Sequence, residues 1–156
     1  MNAITNGRPV EILLVEDSPT DVMLAEEALE YAKMLNKLHV ARDGVEAMAF
    51  LRKQGQFADV PRPDLILLDL NLPRKNGLEV LTEVKADDDL KNIPVVVITT
   101  SQAQEDVLTA YGLHANCYIS KPVDFNQFTN IVRAIDNFWF TVVTLPAEGN
   151  NGSQDQ

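Results

Sequence analysis

Short apolar runs alternate with longer amphipathic segments along most of the chain. Each run is rich in β-forming residues, and each is followed by a segment with apolar residues at helical spacing. The runs predict five strands: Val10–Val15, Lys37–Arg42, Asp64–Asp69, Ile93–Thr100 and Asn116–Ser120. Repeated strand–helix units of this kind predict a single α/β domain in which helices cover both faces of a doubly wound, five-stranded parallel sheet.

Capping residues mark where the predicted helices begin. Ser18 is a good N-cap, Pro19 suits the first helical position, and Asp21 stands at the capping-box position. Asp43 and Glu46 predict a second capping box. The helical segments cover Ser18–Leu35, Asp43–Gly55, Leu78–Ala86, Gln102–Leu113 and Phe125–Phe140. Together with the strands they give a (βα)5 arrangement.

Composition and charge exclude several functional classes. The 156 residues are 46% hydrophobic, which suits one domain with a full core. A formal charge of -10 repels phosphate backbones, so we expect no nucleic-acid partner. No stretch approaches the roughly 20 apolar residues that span a bilayer, so we expect no membrane insertion. The single cysteine, Cys117, cannot form an internal disulfide, which favours a reducing, cytoplasmic location.

Chemically reactive residues collect where the predicted strands end. Glu16 and Asp17 follow the first strand, Asp69 closes the third, Thr99 lies at the end of the fourth and Lys121 follows the fifth. In flavodoxin-like sheets the strand order is 2-1-3-4-5, which makes strands one and three neighbours, and ligands bind at the carboxyl ends of the strands. We therefore expect the three acids to meet there.

A cluster of three carboxylates needs compensation by protons or a cation. Its ligands would all be hard oxygens, which favours Mg²⁺. Lys121 could add an ammonium group and Thr99 a hydroxyl, and the set then describes phosphoryl transfer onto an aspartate. Each residue alone also fits a structural role, such as a turn cap for Asp69 or a solvated loop lysine. Their joint occurrence at the ends of different strands favours the functional interpretation.

The sequence resembles the receiver domain of two-component response regulators over about residues 9 to 140. Four segments carry the resemblance: VEDSPTD, LLDLNLP, VVVITT and YISKPV. The resemblance implies that Asp69 accepts a phosphoryl group from a histidine kinase. It also implies that Asp17 binds Mg²⁺ directly and Glu16 through water, and that Asn71 offers its backbone carbonyl to the metal.

The same resemblance assigns the remaining site residues. Thr99 and Lys121 would contact the phosphoryl oxygens, and Tyr118 matches the aromatic residue that switches with phosphorylation. The segments DLNLPRKNGLEVL and LHANCYISKPVDF, and the ending FWFTVVTLP, are similar to single-domain regulators that partner bacterial phytochromes, especially cyanobacterial ones. This similarity implies that the kinase is a phytochrome.

The last part of the chain is more apolar than a chain end requires. Its cluster contains Phe138, Trp139, Phe140 and Val142. The cluster could fold back onto its own domain, but we expect it to form part of a homodimer interface. We expect the domain with this tail to cover residues 9–146, between flexible termini at 1–8 and 147–156.

Three other functions compete with the phosphorylation switch. An aspartate-dependent phosphatase of the haloacid dehalogenase type needs a second acid two residues after the first, where Asn71 stands. A flavodoxin-like electron carrier needs a phosphate-cradling loop after the first strand, where two acids would repel the ligand. A receiver-like scaffold would not need all five site residues. Only 18 residues follow Phe138, so we expect no DNA-binding output domain and a signal passed through protein contacts.

Overall fold

A computed structural model describes residues 8–31, 35–99, 112, 117–120, 126, 129, 130 and 133 of this chain. Five parallel strands form one sheet: β1 (Val10–Val15), β2 (Asn36–Ala41), β3 (Leu65–Asp69), β4 (Val95–Thr99) and β5 (Cys117–Ser120). The order across the sheet is β2-β1-β3-β4-β5. The predicted fold class and strand order are therefore confirmed.

Three helices of the described part connect these strands: α1 (Pro19–Tyr31), α2 (Gly44–Leu51) and α3 (Gly77–Ala86). Near the end of the domain, residues 126, 129, 130 and 133 are helical, in agreement with the last predicted helix. The helix predicted for Gln102–Leu113 lies, except for residue 112, outside the described residues, and so does the apolar tail. Among the residues that the structure describes, no helix is long and apolar enough to cross a membrane.

The core lies on both faces of the sheet, because the central strands are apolar in both directions. In β1, Leu13 and Val15 belong to the cluster packed under α2 and α3, while Ile12 and Leu14 belong to the cluster under α1. All five residues of β3 are buried. Each large apolar side chain buried in this way contributes roughly 1.5–3 kcal/mol. The sheet is therefore a rigid platform for the loops at its ends.

The register brings the carboxyl ends of the strands to one level. Val15 of β1 pairs with Leu68 of β3, and Asp69 pairs with Ile98 of β4. Thr99 of β4 then pairs with Ser120 of β5. Residues that directly follow these pairs consequently leave the sheet side by side.

Several element boundaries differ from the sequence prediction, two of them with a clear structural reason or shift. Strand β2 covers Asn36–Ala41, one residue earlier than predicted. Helix α2 ends at Leu51 and does not continue to Gly55. After it the backbone turns through left-handed conformations at Lys53 (φ 54°) and Gly55 (φ 58°). This reversal lets Phe57 pack against Phe50 of the helix, with ring centroids 5.5 Å apart.

The helix caps also differ in detail from the prediction. The Asp43 carboxylate accepts the backbone N–H of Glu46 at 2.8 Å. The Glu46 carboxylate accepts the backbone N–H of Arg42, one residue before the cap, and not that of Asp43. A complete capping box occurs instead at α3, where Asn76 and Glu79 each accept the other's backbone N–H at 2.9 Å. Sequence reasoning did not identify this box, although the Asn76–Glu79 spacing is its usual signal.

Candidate functional site at the carboxyl edge of the sheet

Three acids converge where β1 and β3 end. Glu16 and Asp17 directly follow β1, and Asp69 is the last residue of β3. Because Val15 pairs with Leu68, the next residues of the two strands leave the sheet at the same level. One carboxylate oxygen from each acid lies within 4.8 Å of the other two. The structure therefore brings together the three acids that the sequence singled out.

Two of these carboxylates are buried, which is rare for an acidic side chain. Glu16 and Asp69 are each 1% exposed, whereas Asp17 is open to solvent. Backbone amides orient both buried groups: the N–H of Ser18 donates to Glu16 Oε2 at 3.2 Å, and the N–H of Asn71 donates to Asp69 Oδ1 at 3.0 Å. The site is thus preformed by the loops that follow β1 and β3.

This arrangement fits a hard divalent cation. Like charges at such short range raise the energy of the site unless a cation or protons offset them. Every donor in the group is a carboxylate oxygen, which suits Mg²⁺, Ca²⁺ or Mn²⁺ and not the softer metals that select sulfur or nitrogen. One exposed acid beside two buried ones leaves the site accessible from solvent.

The loop after Asp69 is packed tightly against the site. The N–H of Gly77 donates to the carbonyl of Leu70 at 3.1 Å, which closes the loop at its base. A Cβ atom at Gly77 would lie 2.5 Å from the carbonyl oxygen of Asp69 and 2.5 Å from Leu70 Cα. Leu72 in the loop is buried in the core. Only glycine therefore permits this approach of α3 to the end of β3, a requirement that the sequence alone did not reveal.

The other residues predicted for the site are described in part or not at all. Thr99 ends β4 at the same edge of the sheet as Asp69, and Tyr118 lies within β5. The side chains of these two residues are outside what the structure describes. Lys121 and the tail residues, among them Phe138, also lie outside the described residues.

Comparison with known proteins identifies relatives over most of the chain. The family profile of the response regulator receiver domain matches residues 12–133. Response regulator Rcp1 of Synechocystis sp. is 51% identical over 139 residues, which cover 89% of this chain and 95% of that protein.

Solved structures give the same result for the fold. The phosphorylated cyanobacterial phytochrome response regulator RcpA superposes with a TM-score of 0.77 at 49% identity, covering 89% of this chain and 99% of that one. The Mn²⁺-bound form of response regulator Rcp1 superposes with a TM-score of 0.75 at 51% identity, covering 88% and 99% of the two chains.

Proposed function

This chain belongs to the response regulator receiver domain family, and we propose that Asp69 is the residue that accepts the phosphoryl group from a histidine kinase. The convergence of Glu16, Asp17 and Asp69 at one edge of the sheet carries the proposal. A carboxylate oxygen of Asp69 would attack the phosphorus of a phosphohistidine. The P–O bond forms as the P–N bond breaks, and the imidazole leaves.

The surrounding residues divide the remaining tasks. Asp17 and Asp69 would bind Mg²⁺ directly, Glu16 would act through water, and Asn71 would contribute its backbone carbonyl. Bound there, the ion would offset the negative charges of the attacking carboxylate and the phosphoryl oxygens. The oxygen-only donor set supports this assignment, and so does the Mn²⁺-bound form of the related Rcp1.

Thr99 and Lys121 would contact the transferred phosphoryl group, and Tyr118 would change its packing in response. The Thr99 hydroxyl and the Lys121 ammonium would donate to the phosphoryl oxygens, in keeping with the positions of these residues at the ends of the fourth and fifth predicted strands. Tyr118 would change its packing when Thr99 moves toward the phosphoryl group. The protein would act as a switch, and its only chemistry would be its own phosphorylation and dephosphorylation.

The proposed kinase is a phytochrome. RcpA, which is 49% identical, is a cyanobacterial phytochrome response regulator, and that similarity supports the assignment. We place the protein in the cytoplasm, where it would signal through protein contacts. The receiver unit with its tail would cover residues 9–146.

Labelling with a small donor tests the acceptor. Incubation with acetyl phosphate and Mg²⁺ should add one phosphoryl group per chain, detected by intact mass and located by peptide mapping. Asp69→Asn should abolish the label, because an amide is a far weaker nucleophile than a carboxylate. Chelation of the metal should abolish it too. Asp64→Asn, which changes an aspartate at the opposite end of β3, is the matched control and should label normally. Equal labelling of Asp69→Asn and wild type would refute the assignment.

Transfer from purified kinases tests the partner. A phytochrome kinase carrying labelled phosphohistidine should transfer the label rapidly, and a histidine kinase without a photoreceptor domain should transfer it slowly. Equal rates from both kinases would contradict the phytochrome assignment.

The tail is proposed to form part of a homodimer interface. Its apolar cluster supports this role, since three or four buried side chains at roughly 1.5–3 kcal/mol each would offset much of the cost of association. The cluster contains Phe138, Trp139, Phe140 and Val142. In sedimentation at micromolar concentration, wild type should associate, whereas a chain ending at Asn137 should be folded and monomeric. Equal association of the two would rule out this role.

A further inference from the structure

The loop that follows Asp69 is tied by its charged side chains to two neighbouring helices. Arg74 Nη1 lies 3.5 Å from Asp43 Oδ2, at the start of α2. The Lys75 ammonium pairs with Glu83 of α3, and Glu83 also accepts from Arg52 Nη1 at 3.1 Å. Separate ion pairs therefore tie the loop to both helices.

The backbone of the same loop also fits closely against α2. Gly44 is the first residue of that helix, and a Cβ atom there would lie 2.0 Å from the carbonyl oxygen of Lys75 and 2.7 Å from its carbonyl carbon. Such a distance is far below van der Waals contact, so any side chain at Gly44 would displace the loop backbone. Glycine at this position lets the loop seat against the helix.

This loop contacts the Asp69 carboxylate directly. The N–H of Asn71, in the first part of the loop, donates to Asp69 Oδ1 at 3.0 Å. At the base of the loop, Gly77 packs against the Asp69 carbonyl. A shift of the backbone at Lys75 would consequently move the amide that orients the acid.

Stability alone is a weak explanation for the ion pairs. The side chains of Lys75 and Glu83 are 28% and 29% exposed, and that of Arg74 is 66% exposed. Pairs with this much solvent access contribute little to the free energy of unfolding. The hydrogen bond from Lys75 lowers the pKa of Glu83, so this carboxylate is ionised at neutral pH and can hold the loop there.

We propose that Gly44, Asp43 and Glu83 are positioning residues for the phosphoacceptor. They hold Arg74 and Lys75, and through them the loop whose Asn71 amide orients Asp69. The inference deepens the proposed function and rests on it for the role of Asp69. The part that concerns the geometry of the carboxylate can be measured without phosphorylation, as the affinity of the three acids for Mn²⁺.

Glu83→Gln is the first test, because it removes the charge and keeps the volume. Its matched control is Asp88→Asn, which removes one charge from the exposed Lys91–Asp88 pair beyond α3. We expect Glu83→Gln to weaken Mn²⁺ binding by up to about fivefold relative to this control. The free energies of unfolding of the two variants should lie within about 1 kcal/mol of each other. Equal Mn²⁺ dissociation constants for the two variants would overturn the proposal.

Gly44→Ala is the second test and should have the larger effect. Val45→Ala, in the same helical turn with a 42% exposed side chain, is the control for changes in helix propensity. Gly44→Ala should weaken Mn²⁺ binding by about tenfold, the loss typical when a group that supports metal ligands is disturbed. A Gly44→Ala protein that binds Mn²⁺ like Val45→Ala would contradict the role of the close contact. If Gly44→Ala does not fold, Glu83→Gln decides.

A conservative exchange at Lys75 separates positioning from simple bulk. Lys75→Arg keeps a cation that can reach Glu83 and should bind Mn²⁺ like wild type, while Lys75→Met should match Glu83→Gln.

The proposed function and the positioning inference fail in different ways. If wild type takes no label on Asp69, the proposed function fails, yet the Mn²⁺ constants still decide the positioning. If wild type is labelled and Glu83→Gln equals its control, only the positioning inference fails.

Discussion

Charged residues at the amino end of the sheet form pairs of opposite charge. Arg8 donates two hydrogen bonds to Asp64, at 2.8 and 3.3 Å, and this contact raises the pKa of Arg8. Asp64 also accepts the backbone N–H of Glu11 at 2.8 Å. The Glu11 side chain in turn lies 2.7 Å from Nε2 of His39. Each carboxylate here faces a basic side chain, and these contacts join the starts of β1 and β3 and the middle of β2.

The carboxyl end of the same strands gathers like charges instead. The carboxylates of Glu16, Asp17 and Asp69 approach one another within 4.8 Å, and two of them are buried. Opposite charges in contact stabilise a fold, whereas like charges in contact cost free energy. The amino end of the sheet therefore stabilises the fold, whereas the carboxyl end gives up stability for binding and chemistry.

Removal of one acid from the carboxyl end should have the largest effect. Asp17→Ala should weaken Mn²⁺ binding by at least about 100-fold, because a direct ligand matters no less than the groups that support ligands. Asp64→Ala removes an acid from the amino end and should leave Mn²⁺ binding unchanged. Isothermal titration calorimetry of both variants checks the comparison. Comparable losses in the two variants would mean that both ends bind metal.

At the amino end, Asp64→Asn should destabilise the protein. The variant loses the charge-assisted bonds from Arg8 and weakens the bond from Glu11, at a cost of about 1–2 kcal/mol in the free energy of unfolding. Urea unfolding in metal-free buffer measures this loss of stability. A stability equal to that of wild type would show that the pairs at this end do not support the fold.

At the carboxyl end, Asp69→Asn should change the free energy of unfolding in the opposite direction and stabilise the protein. Removing one of three like charges should raise the free energy of unfolding in metal-free buffer by at least about 1 kcal/mol, because unit charges about 4 Å apart repel by that much even in water. Addition of Mg²⁺ should then stabilise wild type more than the variant, because only wild type keeps all three acids. Destabilisation by Asp69→Asn without metal would remove the contrast between the two ends.

The smallest effect concerns the pH dependence of the Glu83 contact. Because Lys75 lowers the pKa of Glu83 in the folded protein, this carboxylate contributes stability above its unfolded pKa of about 4.3. The contribution should be lost as the pH falls through the folded value. The free energies of unfolding of wild type and Glu83→Gln, measured in urea, should differ by less than about 1 kcal/mol at pH 7 and converge once the pH falls below the folded pKa of Glu83. A difference that persists at low pH would show that it does not come from ionisation.

The sequence predicted the parts of this molecule that local patterns determine. Apolar runs located the strands, and acids at the ends of those runs located Glu16, Asp17 and Asp69, because carboxyl ends of parallel strands share one edge. Features that depend on the meeting of distant segments were missed. Glycine is required at position 44 because the backbone of Lys75 packs against it, a contact that no local pattern indicates. The end of α2 at Leu51 depends on the return of the following turn to the core.

The full burial of β3 determines where motion can occur. Its residues pair with β1 on one side and β4 on the other, and none is open to solvent. Amides in such a strand exchange with deuterium only when the whole domain unfolds. We therefore expect β3 to stay protected from exchange in both phosphorylation states. Any change in exchange on phosphorylation should lie outside β3, in the loops around Asp69 and near the proposed switch residues Thr99 and Tyr118. The strand that carries the proposed acceptor would then take no part in passing the signal on.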